Sequence, residues 1–305
     1  MIVTRVLPAV LVVCLLVGLG AVSAGADERS PYAGVEHQAY GDFAYRTTNL
    51  YLTSYDYHAV SGWAESRWIL GTWENARARV RPYVKTTLAA SEHSLPWENT
   101  AVVGAGIEYR PWVNDKGLER PGLSWIKSLR AYVEYVSLSS LKEKTTSPTE
   151  DLRVGIDLWR ERGLDPRREY ANGTYEFAPQ WAELYGNLAY QKTNLFMRDY
   201  RSLVFTTSVR AGARAPRLRG DLSLMPYAMA QVDAAERPFF WQNRLLLGTG
   251  VRIMPFQHSS SPYLNKTKLY VEYLRVADYL KDKPAAGTVP KDDFRVGVAF
   301  TLNRK

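Results

Sequence analysis

The chain has 305 residues, with one cysteine and with 39 lysines and arginines against 31 aspartates and glutamates. A lone cysteine excludes a disulfide framework and a cysteine-built zinc centre. The excess of eight positive charges is modest, and an ordinary solvated surface accounts for it as well as acidic partners do.

Residues 1–26 read as a secretory signal peptide: Arg5, then an apolar run, then the small residues of "VSA" and "AGA", with cleavage expected near Ala24 or Ala26. Cys14 lies inside the apolar run after Val13, a setting that does not suit a lipoprotein anchor. Residues 27–305 are expected to form a single domain. No later run approaches the roughly 20 apolar residues of a membrane-crossing helix. The 20 tyrosines and 9 tryptophans recur near the ends of alternating segments, as in the aromatic girdles of a transmembrane β-barrel.

Period-two alternation marks twelve strands, approximately 41–53, 61–73, 77–91, 98–111, 126–139, 150–161, 181–194, 200–214, 221–234, 240–254, 264–277 and 291–303. The last is the cleanest. Phe294, Val296, Val298, Phe300 and Leu302 fall on one face of "DDFRVGVAFTLNRK", opposite Asp293, Arg295, Gly297, Ala299, Thr301 and Asn303. Apolar residues at every second position would scatter around a helix.

The chain also repeats itself. "YGDFAYRTTNLY" at 40–51 matches "YGNLAYQKTNLF" at 185–196, "RPY" at 81 matches "MPY" at 225, and "GAGIEYRPW" at 104 matches "GTGVRIMPF" at 248. "YVEY" occurs at 132 and 270, and "DLRVGI" at 151 matches "DFRVGV" at 293. Five collinear matches describe two six-strand units, about 40–161 and 185–303. The expected fold is therefore all-β, an antiparallel transmembrane β-barrel of about 12 strands located in the cell outer membrane.

In such a barrel the polar faces line the lumen and the apolar faces meet lipid. The expected lumen-lining residues are Arg79, Arg81, Lys85, Glu108, Arg130, Glu134, Arg153 and Asp157 in the first unit. Arg210, Arg214, Arg244, Arg252, Lys268, Glu272 and Arg295 follow in the second. Arginine predominates, which suits polar or anionic solutes, although ion pairs between strands also fill narrow barrels. Gly104, Gly106, Gly155, Gly248, Gly250 and Gly297 share the polar face and are read as relieving curvature. Asp292 and Asp293 beside a strand start read as solvated. Arg295, Gly297, Phe300 and Leu302 have the spacing of a C-terminal barrel-assembly signal. An even strand count leaves both termini in the periplasm, with the long connectors 112–125 and 162–180 beside them.

No catalytic constellation, metal cluster or cofactor loop emerges. His258 and Ser260 of "HSSS" have the spacing of the outer-membrane phospholipase but fall in an expected periplasmic connector, so an enzyme is not expected. The strands "GAGIEYRPW", "YVEYL" and "DFRVGV" in this order resemble the β-rich C-terminal domain of bacteriophage adsorption protein A and related exopolysaccharide-export outer-membrane proteins. That resemblance implies a conduit or surface component linked to envelope polysaccharide, with or without a periplasmic export partner. The long helical-repeat region of those proteins is absent from this chain. The expected reading is a passive channel for secreted polysaccharide or polar solutes, the alternative a non-conducting barrel for adhesion, phage attachment or envelope structure. Outer-membrane lipid, lipopolysaccharide and the barrel-assembly machinery are the expected partners, and nucleic acid is not.

Overall fold

The computed structural model describes residues 35–48, 57–75, 78–92, 99–111, 128–141, 149–164, 166–169, 175–193, 200–215, 224–257, 266–281, 283 and 292–304. Residues 1–26, expected to be a signal peptide, and His93, His258 and Ser260 lie outside the described residues.

The strands are β1 (Glu36–Thr48), β2 (Tyr57–Ile69), β3 (Trp73–Asn75), β4 (Ala78–Ser91), β5 (Thr100–Pro111), β6 (Ser128–Ser140), β7 (Thr149–Arg162), β8 (Pro166–Glu169) and β9 (Tyr175–Phe177). They continue with β10 (Gln180–Thr193), β11 (Tyr200–Ala213), β12 (Leu224–Ala235), β13 (Arg244–Ile253), β14 (Lys268–Tyr279) and β15 (Asp292–Arg304). Twelve of them form the wall, each antiparallel to its neighbours: β1, β2, β4 to β7 and β10 to β15. The β2–β4 and β1–β15 pairings close the ring, so no wall strand is left with an unpaired edge. The short β3 extends the β4 edge beyond the β2 terminus, and β8 pairs with β9 as a separate hairpin in the connector between β7 and β10.

His37 pairs with Arg304, so both ends of the described chain sit at one end of the barrel, here the terminal end; the other is the far end. The first two strands begin and end four or five residues earlier than the alternation suggests, because polar residues at their starts belong to the inner face. Glu36, for example, pairs with Arg81. Residues 240–242, expected in a strand, form a 3-10 turn before β13.

Register fixes the faces, since directly paired residues in a sheet project to the same side. Asp42 pairs with Trp63 and Ala299 on the inside, and the next residue, Phe43, pairs with Gly62 and Val298 on the outside. The outer face is apolar and exposed: Val103 is 64% accessible, and Ile107, Val133, Val154, Ile156, Val209, Leu247, Val271 and Val296 are exposed with it. Outward tyrosines and phenylalanines, Tyr45, Tyr135, Tyr190, Phe205, Tyr273 and Phe294, lie toward the far end, with Tyr109 and Trp73 toward the terminal end.

The inside departs from the expected pattern on one side. Trp181, Met225, Tyr227, Met229, Leu246 and Leu274 project inward from β10 and β12 to β14 and pack with Leu164 and Met254, which lie just beyond strand ends. These side chains are buried from both water and lipid. Alternation identifies a strand's two faces, but it cannot tell that an inward apolar residue will be covered by inward neighbours from other strands.

Candidate functional site in the barrel interior

The interior is organised around four tyrosines laid over glycines. The ring of Tyr83 covers Gly106, where an added Cβ would come within 2.6 Å of its hydroxyl, and the ring of Tyr227 covers Gly250 at 2.7 Å. Tyr132 covers Gly155 and Tyr270 covers Gly297, at 2.8 and 2.7 Å on the same measure. These glycines thus give room for a ring against the wall, and relief of curvature is not needed to explain them. Gly104 and Gly248 similarly make room for Val136 and Leu274.

Each ring ends in a polar contact, as a buried hydroxyl requires. Tyr83 donates to Glu134 (2.9 Å) and Tyr227 to Glu272 (2.6 Å). Tyr270 donates to Asp42 (2.7 Å), while the Tyr132 hydroxyl accepts from Asn187 (3.0 Å). The contacts occur twice, at the spacing of the matched sequence segments. Even the capping amides correspond: Asn99 accepts from the Ser91 amide and Asn243 from the Ala235 amide, both at 3.0 Å.

Charges interlock with this frame. Glu134 takes Lys85 (2.6 Å) and Glu272 takes Arg210 (3.0 Å). Arg153 grips Asp151 through Nε (2.6 Å) and Nη2 (2.5 Å), and Arg295 grips Asp293 in the same way at the same distances. Arg46 adds a contact to Asp293 at 2.9 Å. Asp293 is therefore a fully buried ion-pair acceptor, which corrects its reading as a solvated carboxylate.

Nearer the terminal end, Glu108 is completely buried among Arg81 (2.6 Å), Arg110 (2.9 Å), Arg130 (3.2 Å) and Arg67 (3.5 Å). Glu183 receives Arg252 through two parallel bonds of 2.9 and 2.8 Å and Lys268 at 2.6 Å, tying β10 to β13 and β14. Arg130 also pairs with Asp157, and Arg244 with Asp233 at 3.3 Å. Arg214 donates to Gln257 (2.9 Å), and Arg79 faces inward in register with Arg110. All fifteen residues expected on the inner face thus have a place in this interior or at its rim.

The sequence reading missed Asp42, Arg46, Arg67, Glu183, Asp233 and Glu65, which pairs with Arg67 at 3.1 Å, and it missed Tyr83, Tyr132, Tyr227 and Tyr270. The parity of the adjacent polar positions would have found the charged ones. The tyrosines were hidden by the general link between aromatics and membrane interfaces. Of the assembly-signal residues, Arg295 and Gly297 face inward, and Phe300 stacks outside on Phe43 with centroids 6.4 Å apart. Leu302 lies in the β15 backbone opposite Ala39.

In three of these pairs the cation is the accessible partner, whereas at Arg244–Asp233 and Arg81–Glu36 the acid is the more exposed. The side chain of Arg153 is 31% exposed and that of Asp151 1%; for Arg295 and Asp293 the values are 20% and 0%, and for Arg210 and Glu272 25% and 4%. The strands bearing Arg153 and Arg295, β7 and β15, are six apart in a ring of twelve, so the two guanidinium groups occupy opposite walls.

A charged, hydrogen-bonded interior behind an apolar, aromatic-flanked exterior inverts a soluble barrel and matches the demands of a lipid bilayer. The chain is an outer-membrane β-barrel. No protein-family model matches it, and no curated protein matches it in sequence. Among solved structures it is similar to the β domain of the Bordetella autotransporter Brka, at 14% identity over 88% of this chain and 99% of that one, with a TM-score of 0.41. It is also similar to an outer-membrane channel from Pseudomonas putida F1 (12% identity, 88% and 94% covered, TM-score 0.40). A bacterial polysaccharide outer-membrane secretin gives 10% identity, 90% and 100% coverage and a TM-score of 0.38. At these values the likenesses carry no functional argument, which rests on the two faces of the barrel itself.

Proposed function

We propose that the barrel is a narrow passive channel that favours anions. The observation that carries this reading is the asymmetry of three interior ion pairs, Arg153–Asp151, Arg295–Asp293 and Arg210–Glu272, in which the acid is held against the wall and the guanidinium group is the more accessible partner. A solute entering the lumen then meets positive charge, although the network beneath is nearly balanced. Rings of arginine on a pore wall select anions by lowering their energy of entry and raising that of cations.

Secreted acidic polysaccharide and smaller polar anions are the solutes that suit such a wall. The order of the "GAGIEYRPW", "YVEYL" and "DFRVGV" strands supports the polysaccharide, through its resemblance to exopolysaccharide-export barrels. The connector between β7 and β10, with its own β8–β9 hairpin, would then face a periplasmic partner.

The test is conductance of the refolded protein in planar bilayers under a salt gradient. The expected result is a reversal potential displaced toward that of chloride. Replacing Arg153 and Arg295 together by glutamate should displace it toward that of the cation. Absence of conductance, or a cation preference in the native sequence, would overturn the proposal. The second reading, a non-conducting surface barrel, is favoured by the buried apolar cluster inside β10 to β14, and it predicts silence in the same measurement.

A further inference from the structure

We infer that the lumen, from its middle toward the far end, holds a binding site for acidic saccharides, built around Trp63; this rests on the channel reading and names its solute class. Trp63 lies on β2 between Arg67 and Ala59, and its register partners are Asp42 on β1 and Ala89 on β4, all inward positions. Its indole is nevertheless 44% exposed. An accessible indole on a lumen wall contributes little burial, so folding alone does not account for it.

Nor does the repeat account for it. The second-unit counterpart of Asp42 is Asn187, and the residue paired with Asn187 is Thr206, where Asp42 has Trp63. The tyrosine-on-glycine frame forms equally well in both units, so the tryptophan is an addition to one wall only. On the other wall the space is taken up. Phe239 rests on Tyr200 and Phe240 on Tyr279 at the far-end rim, with centroids 6.3 Å apart in each pair, and the Met225–Leu274 cluster fills the interior below. A solute is therefore directed along the Trp63 side.

Trp63 has the chemistry of a sugar platform. One face of a pyranose ring presents only C–H groups, which pack on a flat aromatic surface, while its hydroxyls remain free for polar partners. Next to β2, Arg46 on β1 and Arg295 on β15 both grip Asp293, and the half-buried Arg153 faces them from the opposite wall. A guanidinium has five N–H donors. Arg153 commits two nitrogens to Asp151 and stands 3.9 Å from Glu134, and its side chain stays 31% exposed, open to the approach of a sugar carboxylate.

Calorimetry on the refolded full chain in detergent, with tetragalacturonate as the probe and neutral maltotetraose as its control, tests the site. Tetragalacturonate should bind, and maltotetraose should bind at least about tenfold more weakly. Trp63→Ala should weaken tetragalacturonate by about tenfold or more, while Trp63→Phe, which keeps a flat ring, should stay within about threefold of the native chain. Heat-modifiable migration in gels would show that both variants are folded. No binding of tetragalacturonate, equal binding of the neutral sugar, or undiminished binding by Trp63→Ala would each overturn the inference. Anion-selective conductance without saccharide binding would leave the channel reading intact; saccharide binding without conductance would remove the channel and keep the site.

Discussion

Glu183 shows what one interior residue does. It is buried, and it joins Arg252 and Lys268 across three intervening or neighbouring strands of the wall. Removing one partner of a buried ion pair leaves the others desolvated and unmatched, a loss on the order of 3 kcal/mol. Glu183→Gln should therefore lower the urea midpoint of the refolded barrel, followed by the loss of heat-modifiable migration. Gly106 presents the opposite constraint, of space. A methyl group there meets the Tyr83 hydroxyl at 2.6 Å, so Gly106→Ala should cost about 1–3 kcal/mol by overpacking in the same assay. Combining it with Tyr83→Phe should recover little of that loss, since the ring Cζ of residue 83 and the Val133 carbonyl also lie 2.7 Å from the added methyl. At this scale the charged interior positions followed from alternation, because parity is a local property. Which acid meets which base did not, because Arg252 and Glu183 are 69 positions apart in sequence.

Strands carry the next level of meaning. In β7, Leu152, Val154 and Ile156 face lipid while Asp151, Arg153 and Asp157 face the interior. Val154→Arg would place a charge in the hydrocarbon layer and should destabilise the barrel by about 2–4 kcal/mol, the range for basic residues near the bilayer midplane. Thr206→Arg, on the inner face of β11, should cost clearly less under the same unfolding conditions. Similar losses at the two sites would mean that the faces had been assigned the wrong way round. Strand existence was legible because twelve segments alternate. Their starts were less so: at β1 and β2 polar residues such as Glu36 look like loop until the partner across the sheet, Arg81, is seen.

For the whole molecule, the decisive property is the difference between the two walls of one lumen. β1 to β7 present charge and an exposed Trp63, whereas β10 to β14 enclose an apolar cluster. Conductance that runs along the first wall should be reduced by bulk placed there, so Ala89→Trp should lower single-channel current while Ala228→Trp, outside on β12, leaves it unchanged. The sequence by itself determined the class of this protein: strand-period alternation, matched segments at steady spacing and, after the N-terminal segment, no apolar run long enough for a membrane-crossing helix point to a twelve-strand barrel. It also determined which residues share a face. Only the tertiary structure decided that the ring closes, that tyrosines fill the places above glycines, and that Asp151, Glu272 and Asp293 are buried beneath more accessible arginines. The physical reason is range. Alternation is set by the two-residue period of one strand, whereas burial of Asp293 under Arg46 and Arg295 needs the first and last strands to meet, 247 positions apart.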